Sequence, residues 1–160
     1  YANKIVRGLM QRIKFDGLRV GRSALEVLTR RGIERWERLL PAGDNVRVVS
    51  IPTTARRRRE RGYDQTEWIA AELTRVFKVK MVGNILQTTG NHRRQSWLAS
   101  EDRQKNIQGA FRVVRGEDLK GKRIILVDDV WTTGATMQEA ARILRAAGAI
   151  EVWGFVLARA

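Results

Sequence analysis

The sequence predicts an α/β protein in which a mostly parallel, five-stranded sheet is flanked by helices. Strand-like and helix-like segments alternate along the chain, which favours a parallel sheet covered on both faces. Residues 123–129, RIILVDD, form a continuous aliphatic run that ends in two carboxylates, as expected of a strand buried on both sides. The next helical pattern stops at Gly148 and leads into another apolar segment, so the last third of the chain is predicted to be a βαβ unit.

Residues 1–43 are predicted to be helical. Residues 5–15 have a short amphipathic pattern, and Ser23 followed by Glu26 has capping-box spacing. An apolar series follows on one helical face: Leu25, Leu28, Ile33, Trp36, Leu39 and Leu40. Gly32 is a candidate break within this helix, and Pro41 and Gly43 close the helical part.

Residues 44–160 are predicted to form the α/β core of a single 160-residue domain. Strands are predicted at residues 45–52, 79–86, 109–114, 122–129 and 151–158. The pairs Asp64 with Glu67 and Thr136 with Glu139 again have capping-box spacing, so helices are expected to start near Asp64 and near Thr136. Residues 87–108 lack a clear period and are predicted to be a long loop.

Composition excludes several classes of site. The chain has no cysteine and one histidine, His92, so a disulfide or a zinc centre is not expected. No apolar run approaches the roughly 20 residues of a membrane span, and no signal peptide is visible, so a cytoplasmic location is expected. The net charge of +14 is uneven, with +6 in residues 1–40 and +1 in residues 121–160. Such a positive field attracts phosphates, although a merely solvated surface is the plainer interpretation.

The two carboxylates of Asp128 and Asp129 are followed by a loop suited to anions. Residues 130–135 are expected to present backbone N–H groups at a helix N-terminus, where the helix dipole adds positive potential. Gly134 permits close approach of a ligand, and the threonine hydroxyls add hydrogen bonds. A sugar phosphate fits this arrangement, because its hydroxyls can donate to the carboxylates, which can also share a Mg²⁺ ion.

An arginine-rich segment, residues 51–65, is expected at the same end of the sheet. Arginine suits phosphate oxygens, and Arg61 and Gly62 come just before a predicted helix start, which suggests a second anion site. Pyrophosphate is the ligand that this segment fits.

The segment IILVDDVWTTGAT resembles the phosphoribosyl-pyrophosphate (PRPP) loop of type I phosphoribosyltransferases, with Trp131 where an aliphatic residue is commoner. The segment RGYDQ after Pro52 and the arginines is similar to the ComF family of competence-associated proteins, with Asp64 where Asn is usual. The spaced pattern of that family matches Gln95, Leu98, Arg103, Asn106, Ala110 and Phe111. Members of the family carry an upstream cysteine-rich zinc module, which this cysteine-free chain does not show.

The resemblance implies a type I phosphoribosyltransferase-like fold and a role for each motif. Asp128 and Asp129 would hold the ribose hydroxyls, with Mg²⁺ near them through the ligand. The 5′-phosphate would bind to the loop residues Thr132, Thr133, Gly134, Ala135 and Thr136. The pyrophosphate would bind to Thr53, Thr54, Arg56, Arg61 and Gly62, and to Arg103 as a third catalytic residue. Residues 91–108 would be a mobile loop that closes over the substrate, with Arg94, Gln95 and Asn106 as its contacts. A homodimer or a competence helicase partner is also implied.

Two functions remain open from the sequence. One is transfer of the phosphoribosyl group to a nitrogen nucleophile. The other is a binding protein for single-stranded DNA in DNA uptake, with PRPP as a regulator or unused. The basic residues expected to contact DNA lie in the N-terminal part: Lys4, Arg7, Arg12, Lys14, Arg19 and Arg22.

Overall fold

The computed structural model describes residues 18–36, 38–53, 64–89, 107–114 and 118–159, with only the backbone for residues 18–25 and 36. In chain order the elements are α1 (Leu18–Trp36), β1 (Val46–Ser50), α2 (Gln65–Phe77), β2 (Lys80–Met81), β3 (Leu86–Thr88), β4 (Phe111–Val113), β5 (Arg123–Trp131), α3 (Ala135–Ala146) and β6 (Glu151–Arg159). Among these residues, no helix is both long and apolar enough to cross a membrane.

Four strands form one parallel sheet in the order β2-β1-β5-β6. Strand β5 lies inside it, and residues 124–127 of that strand are fully buried, which explains its unbroken aliphatic sequence. One apolar cluster packs on each face of the sheet. Leu126, Met137 and Leu144 belong to the cluster beneath α3, while Ile125, Leu73 and Ile33 belong to the cluster beneath α1 and α2. The predicted α/β architecture is confirmed.

Among the described residues the parallel sheet has four strands, whereas five were predicted. One predicted strand is divided in two, and another belongs to a second sheet. Residues 79–86 contain β2, then a turn in which Asn84 adopts φ 58°, and then the start of β3. Strand β3 pairs with β4 in a separate antiparallel ribbon, with Leu86 opposite Val113 and Thr88 opposite Phe111. The β3–β4 ribbon therefore contains the predicted third strand, and its two strands precede and follow residues 90–106 in the chain.

Helix α1 is continuous through Gly32, so the candidate break at that residue is wrong. A side chain at Gly32 would place its Cβ 3.1 Å from Cζ of Phe155, which shows that the glycine allows α1 to approach β6. Ser23 lies inside α1 and not at its start, so the predicted cap at that residue is also wrong. The predicted helix at residues 5–15 lies outside the described residues.

Candidate functional site

Asp128 and Asp129 lie at the carboxyl end of β5, beyond the end of the neighbouring strand β1. Ser50, the last residue of β1, pairs with Val127, and the N–H of Ile51 donates to the carbonyl of Val127 at 2.9 Å. Both aspartates are half-buried, and Oδ1 of Asp128 accepts from the backbone N–H of Asp129 at 2.8 Å. Because ligands of parallel α/β sheets bind beyond the carboxyl ends of the strands, the carboxylates stand where a ligand is expected.

The loop after the aspartates ends at the N-terminus of α3. The N-cap residue of this helix has no side chain that could cover the backbone amides there. Gly134 is the N-cap, with φ 79° and ψ −3°, and it makes no side-chain cap hydrogen bond. A Cβ atom at Gly134 would overlap Cζ2 of Trp131, so both the left-handed backbone and the indole ring require glycine at this position. The loop thus combines a fixed backbone with amides near a positive helix end.

The predicted cap of this helix by Thr136 is wrong. Helix α3 begins one residue earlier, at Ala135, so Thr136 lies inside its first turn. The N–H of Ala135 lies 3.4 Å from Oγ1 of Thr133, a long hydrogen bond at best. Glu139, the expected partner of Thr136, instead accepts from the N–H of Gly109 at 2.8 Å.

Four of the predicted loop and carboxylate residues line one recess: Asp128, Thr132, Gly134 and Thr136. Its other walls are Val130, Trp131, Met137 and Val156, and its volume is about 20 Å³. That is close to the space of a single water molecule, so a phosphate group would need the open space in front of the loop.

A larger cavity of about 210 Å³ lies between α1 and α2, lined by Thr29, Trp68, Ile69 and Glu72 among others. The carboxylate of Glu72 accepts from Arg30 at 3.0 Å and from Arg75 at 2.6 Å. These hydrogen bonds, that from Arg75 first, lower the pKa of Glu72 below its ordinary value. None of its described lining residues is one predicted to bind phosphate.

Two residues near the ends of the arginine-rich segment, Thr53 and Asp64, contact each other. The hydroxyl of Thr53 donates to Oδ1 of Asp64 at 3.1 Å, so the two ends of residues 54–63 are held together. The predicted cap is confirmed, because Oδ1 of Asp64 also accepts from the N–H groups of Thr66 at 3.0 Å and Glu67 at 3.4 Å. Two amides at the start of α2 are therefore bonded to the protein's own carboxylate and are not vacant for the second anion site expected there.

Several predicted site residues lie outside the described residues: Thr54, Arg56, Arg61, Gly62, Arg94, Gln95, Arg103, Asn106, Lys4, Arg7, Arg12 and Lys14. Arg19 and Arg22 lie in α1, where only the backbone is described. Their predicted roles stay predictions.

Sequence reasoning did not identify the contact between Glu139 and Gly109, which joins α3 to the segment before β4. Glu139 is 6% exposed, and Arg142 donates to its carboxylate at 2.8 and 2.9 Å. The Arg142 guanidinium, together with the Gly109 N–H, holds the pKa of Glu139 below its ordinary value, while burial opposes this shift. The sequence contained one relevant signal, a glycine just before a predicted strand. Such a glycine suggests a positive φ, and Gly109 adopts φ 75°.

Within the described part of the chain, no three His, Cys, Asp or Glu side chains form a group that could hold a metal ion. At the carboxyl end of β5, two carboxylates, those of Asp128 and Asp129, could contact such an ion. Mg²⁺ is commonly held by one or two carboxylates together with phosphate oxygens of a substrate and water. The donors therefore fit a Mg²⁺ ion that arrives with a phosphorylated ligand.

Comparison with known proteins gives consistent results. A family model described as a phosphoribosyl transferase domain matches residues 42–159. Competence protein F of Haemophilus influenzae is 34% identical over 116 residues, covering 71% of this chain and 50% of that protein. DNA utilization protein YhgH of Escherichia coli K12 is 32% identical over 109 residues, covering 67% of this chain and 47% of that protein. Competence protein ComFC of Bacillus subtilis is 31% identical over 113 residues, covering 70% of this chain and 44% of that protein.

The chain spans about half the length of these curated relatives. Among solved structures, the allosteric regulatory enzyme of purine biosynthesis aligns with a TM-score of 0.55 at 21% identity, covering 86% of this chain and 26% of that one. A hypoxanthine phosphoribosyltransferase from Staphylococcus aureus aligns with a TM-score of 0.52 at 9% identity, covering 84% and 62%. At such identities the likeness concerns the fold, and it agrees with the type I architecture.

Proposed function

Since the chain belongs to the phosphoribosyl transferase domain family and is a homologue of Competence protein F, ComFC and YhgH, we propose that it binds PRPP with Mg²⁺. We further propose that it transfers the phosphoribosyl group to a nitrogen nucleophile. The observation that carries the proposal is the open N-terminus of α3 directly behind the Asp128–Asp129 pair. The 5′-phosphate accepts from the loop amides, while the ribose hydroxyls donate to the carboxylates.

In the proposed reaction, the nitrogen nucleophile attacks the anomeric carbon of the ribose. The bond from this carbon to the pyrophosphate oxygen breaks, and pyrophosphate leaves with the electron pair. Mg²⁺, when bound, neutralises negative charge on the pyrophosphate oxygens. Asp128 and Asp129 orient the ribose, and the loop from Thr132 to Thr136 holds the 5′-phosphate. No described side chain is assigned as a general base, so the proton of the nucleophile passes to water.

The proposal is tested by calorimetric titration of the protein with PRPP, with and without Mg²⁺. Binding is expected, and it should be tighter with the ion. A double variant, Asp129→Asn with Gly134→Val, should abolish binding while circular dichroism stays native, because it removes a ribose contact and fills the loop. Unchanged affinity in this variant would refute the assignment of the site.

A second candidate function is binding of single-stranded DNA, and the placement of charges favours it. Four basic residues lie at the amino ends of three neighbouring strands, opposite the aspartates: Arg47, Lys80, Lys122 and Arg123, here called the basic rim. Arg47 is paired in register with Lys80, and its neighbour Val46 with Arg123, so the side chains start from adjacent positions. Two of the relatives bear names that refer to such roles: Competence protein F to competence, and DNA utilization protein YhgH to the use of DNA.

The rim is partly neutralised by nearby groups. Nε of Arg123 lies 3.4 Å from the carboxylate of Glu151, and Arg47 donates to the backbone carbonyls of Asp44 and Val46. A weak, sequence-independent affinity is the expected result.

Lys80→Gln with Lys122→Gln should flatten the dependence of DNA affinity on salt. The log–log slope should become less negative by roughly 1.4, at about 0.7 per lost contact. The matched control, Arg31→Gln with Arg112→Gln, removes the same charge from exposed sites in α1 and in β4 and should leave the slope nearly unchanged. Equal effects of both pairs would indicate only the general field of the protein, and absence of DNA binding at low salt would exclude this function.

A further inference from the structure

Glu139 lies at a junction between two parts of the molecule that the backbone does not join directly. It lies five positions after Gly134, the N-cap of α3, a distance of about 7.5 Å along a helix axis at about 1.5 Å per residue. Its side chain is buried, and Oε1 accepts from the N–H of Gly109 at 2.8 Å. One carboxylate therefore connects the helix behind the phosphate loop to the segment that leads into β4.

Gly109 is also the point at which the loop ends of β3 and β4 meet. The hydroxyl of Thr89, one residue after β3, donates to the carbonyl of Gly109 at 2.8 Å. The N–H of Thr89 donates to the carbonyl of Ala110 at 2.9 Å, and the N–H of Ala110 to the carbonyl of Ile107 at 3.0 Å. Moving Gly109 would therefore move both strands of the β3–β4 ribbon at this end.

The described strands show no ladder between the ribbon and the parallel sheet, so side-chain contacts, including those with α3, position the ribbon. Ala110 and Phe111 pack in the apolar cluster with Met137, Ala140 and Ala141 of α3. Apolar packing is non-directional, and it permits small sliding movements. A hydrogen bond to a charged acceptor is short and directional, so the Glu139–Gly109 contact can fix the register of the ribbon on the helix.

We propose that Glu139 is a positioning residue, which sets the loop end of the β3–β4 ribbon relative to the 5′-phosphate loop. This inference rests on the proposed binding of PRPP. The described ribbon carries none of the residues proposed to hold ribose 5-phosphate, so displacement of the ribbon should disturb binding of PRPP more than binding of ribose 5-phosphate. Glu139 itself touches no ligand.

Two conservative substitutions separate geometry from charge. Glu139→Gln keeps the length of the side chain and an oxygen that accepts from Gly109, but removes the charge. Glu139→Asp keeps the charge, but its carboxylate is one methylene shorter and does not reach Gly109. A positioning role therefore predicts that the glutamine variant behaves like the wild type and that the aspartate variant does not. An electrostatic role predicts the reverse.

The experiment measures affinity for PRPP with Mg²⁺ and for ribose 5-phosphate in the wild type and in both variants. Glu139→Asp should weaken PRPP binding roughly tenfold, which corresponds to about 1.4 kcal/mol, and change ribose 5-phosphate binding by less than about twofold. Glu139→Gln should stay within about threefold for both ligands. Arg142→Ala is the matched control, because it removes the other partner of Glu139 and leaves the Gly109 contact, so it should resemble the glutamine variant.

Hydrogen exchange of the Gly109 amide in the ligand-free protein provides a second readout. The amide should exchange faster in Glu139→Asp than in the wild type, and at the wild-type rate in Glu139→Gln. If Glu139→Asp weakened the binding of both ligands equally, or if all variants bound PRPP with equal affinity, this inference would be overturned and the proposed function would stand. A wild type that binds neither ligand would overturn the proposed function as well, which distinguishes the two failures.

Discussion

Helices α2 and α3 both begin at the carboxyl edge of the sheet, yet their N-termini differ. At α2, the side chain of Asp64 accepts from two backbone amides and from the hydroxyl of Thr53. At α3, Gly134 has no side chain to place there. One helix end is thus filled by the protein's own carboxylate, whereas the N-cap residue of the other makes no side-chain hydrogen bond, and we propose that the phosphate binds there. On this proposal, an anion site depends on which residue precedes the helix, and not on the helix dipole alone.

The two ends also share a sequence signature that leads to opposite outcomes. A capping residue followed three positions later by glutamate occurs as Asp64 with Glu67 and as Thr136 with Glu139. Only the first pair begins a helix with a side-chain cap. In the second, the glutamate is engaged by Gly109, thirty positions away in the chain. The tertiary contact overrides the local pattern.

The largest expected effect comes from closing the α3 end. Gly134→Ala should weaken PRPP binding by roughly a hundredfold or more, because a left-handed non-glycine residue costs about 1–3 kcal/mol and its Cβ overlaps Trp131. Titration calorimetry measures the affinity, and thermal melting confirms folding. Gly121→Ala is the matched control, since Gly121 has φ 72° but no atom within 4 Å of an added Cβ. It should reduce stability slightly and leave PRPP affinity unchanged; equal loss in both variants would mean that the loop geometry is not special.

A smaller effect, on the free energy of unfolding, is expected from removing the side-chain cap at the N-terminus of α2. Asp64→Ala should lower the free energy of unfolding by about 1–2 kcal/mol, because it removes the helix cap and the Thr53 contact. Asp64→Asn keeps an accepting oxygen and should cost less than about 0.5 kcal/mol. Thr136→Ala should also cost little, because Thr136 is not the N-cap of α3. Urea unfolding measures all three, and a large loss for Thr136→Ala would contradict the comparison.

The smallest effect concerns pH. The Arg142 guanidinium lowers the pKa of Glu139 from its ordinary value of 4.5, so the folded state favours the carboxylate. The resulting stability is present above about pH 4.5 and is lost as pH falls through the lower, folded-state pKa. Arg142 is 56% exposed, so solvent screens the pair and the effect on stability should be small. Glu139→Gln should make unfolding between pH 5 and pH 3 less dependent on pH, and an unchanged slope would contradict this.

The sequence was most informative where structure is local. The core of strand β5 and the Asp64 cap depend on neighbouring residues, and their predictions agree with the structure. The loop predicted at residues 130–135 is shorter than expected, because β5 continues to Trp131 and α3 begins at Ala135. The β3–β4 ribbon was missed, because residues 79–86 have the apolar composition of one strand. The turn at Asn84 and the pairing of Leu86 with Val113 depend on residues distant in the chain.

The candidate site divides in the same way. The carboxylates and the phosphate loop are contiguous in sequence, and their chemistry can be recognised there. Glu139 was recognised only as a helix signal, because nothing nearby in the sequence indicates that its partner is Gly109. Thr53 was predicted as a pyrophosphate contact, and its hydrogen bond to Asp64 adds a role in joining the ends of residues 54–63.

The central claim is that the open N-terminus of α3, and not that of α2, receives the phosphate of PRPP. Amide hydrogen exchange, resolved by residue, tests it most directly when the protein is compared with and without PRPP and Mg²⁺. Exchange should slow at the amides of residues 133–136, where the phosphate accepts hydrogen bonds, and stay unchanged at Thr66 and Glu67, which Asp64 already engages. Slowing at Thr66 and Glu67 without any change at residues 133–136 would contradict the account.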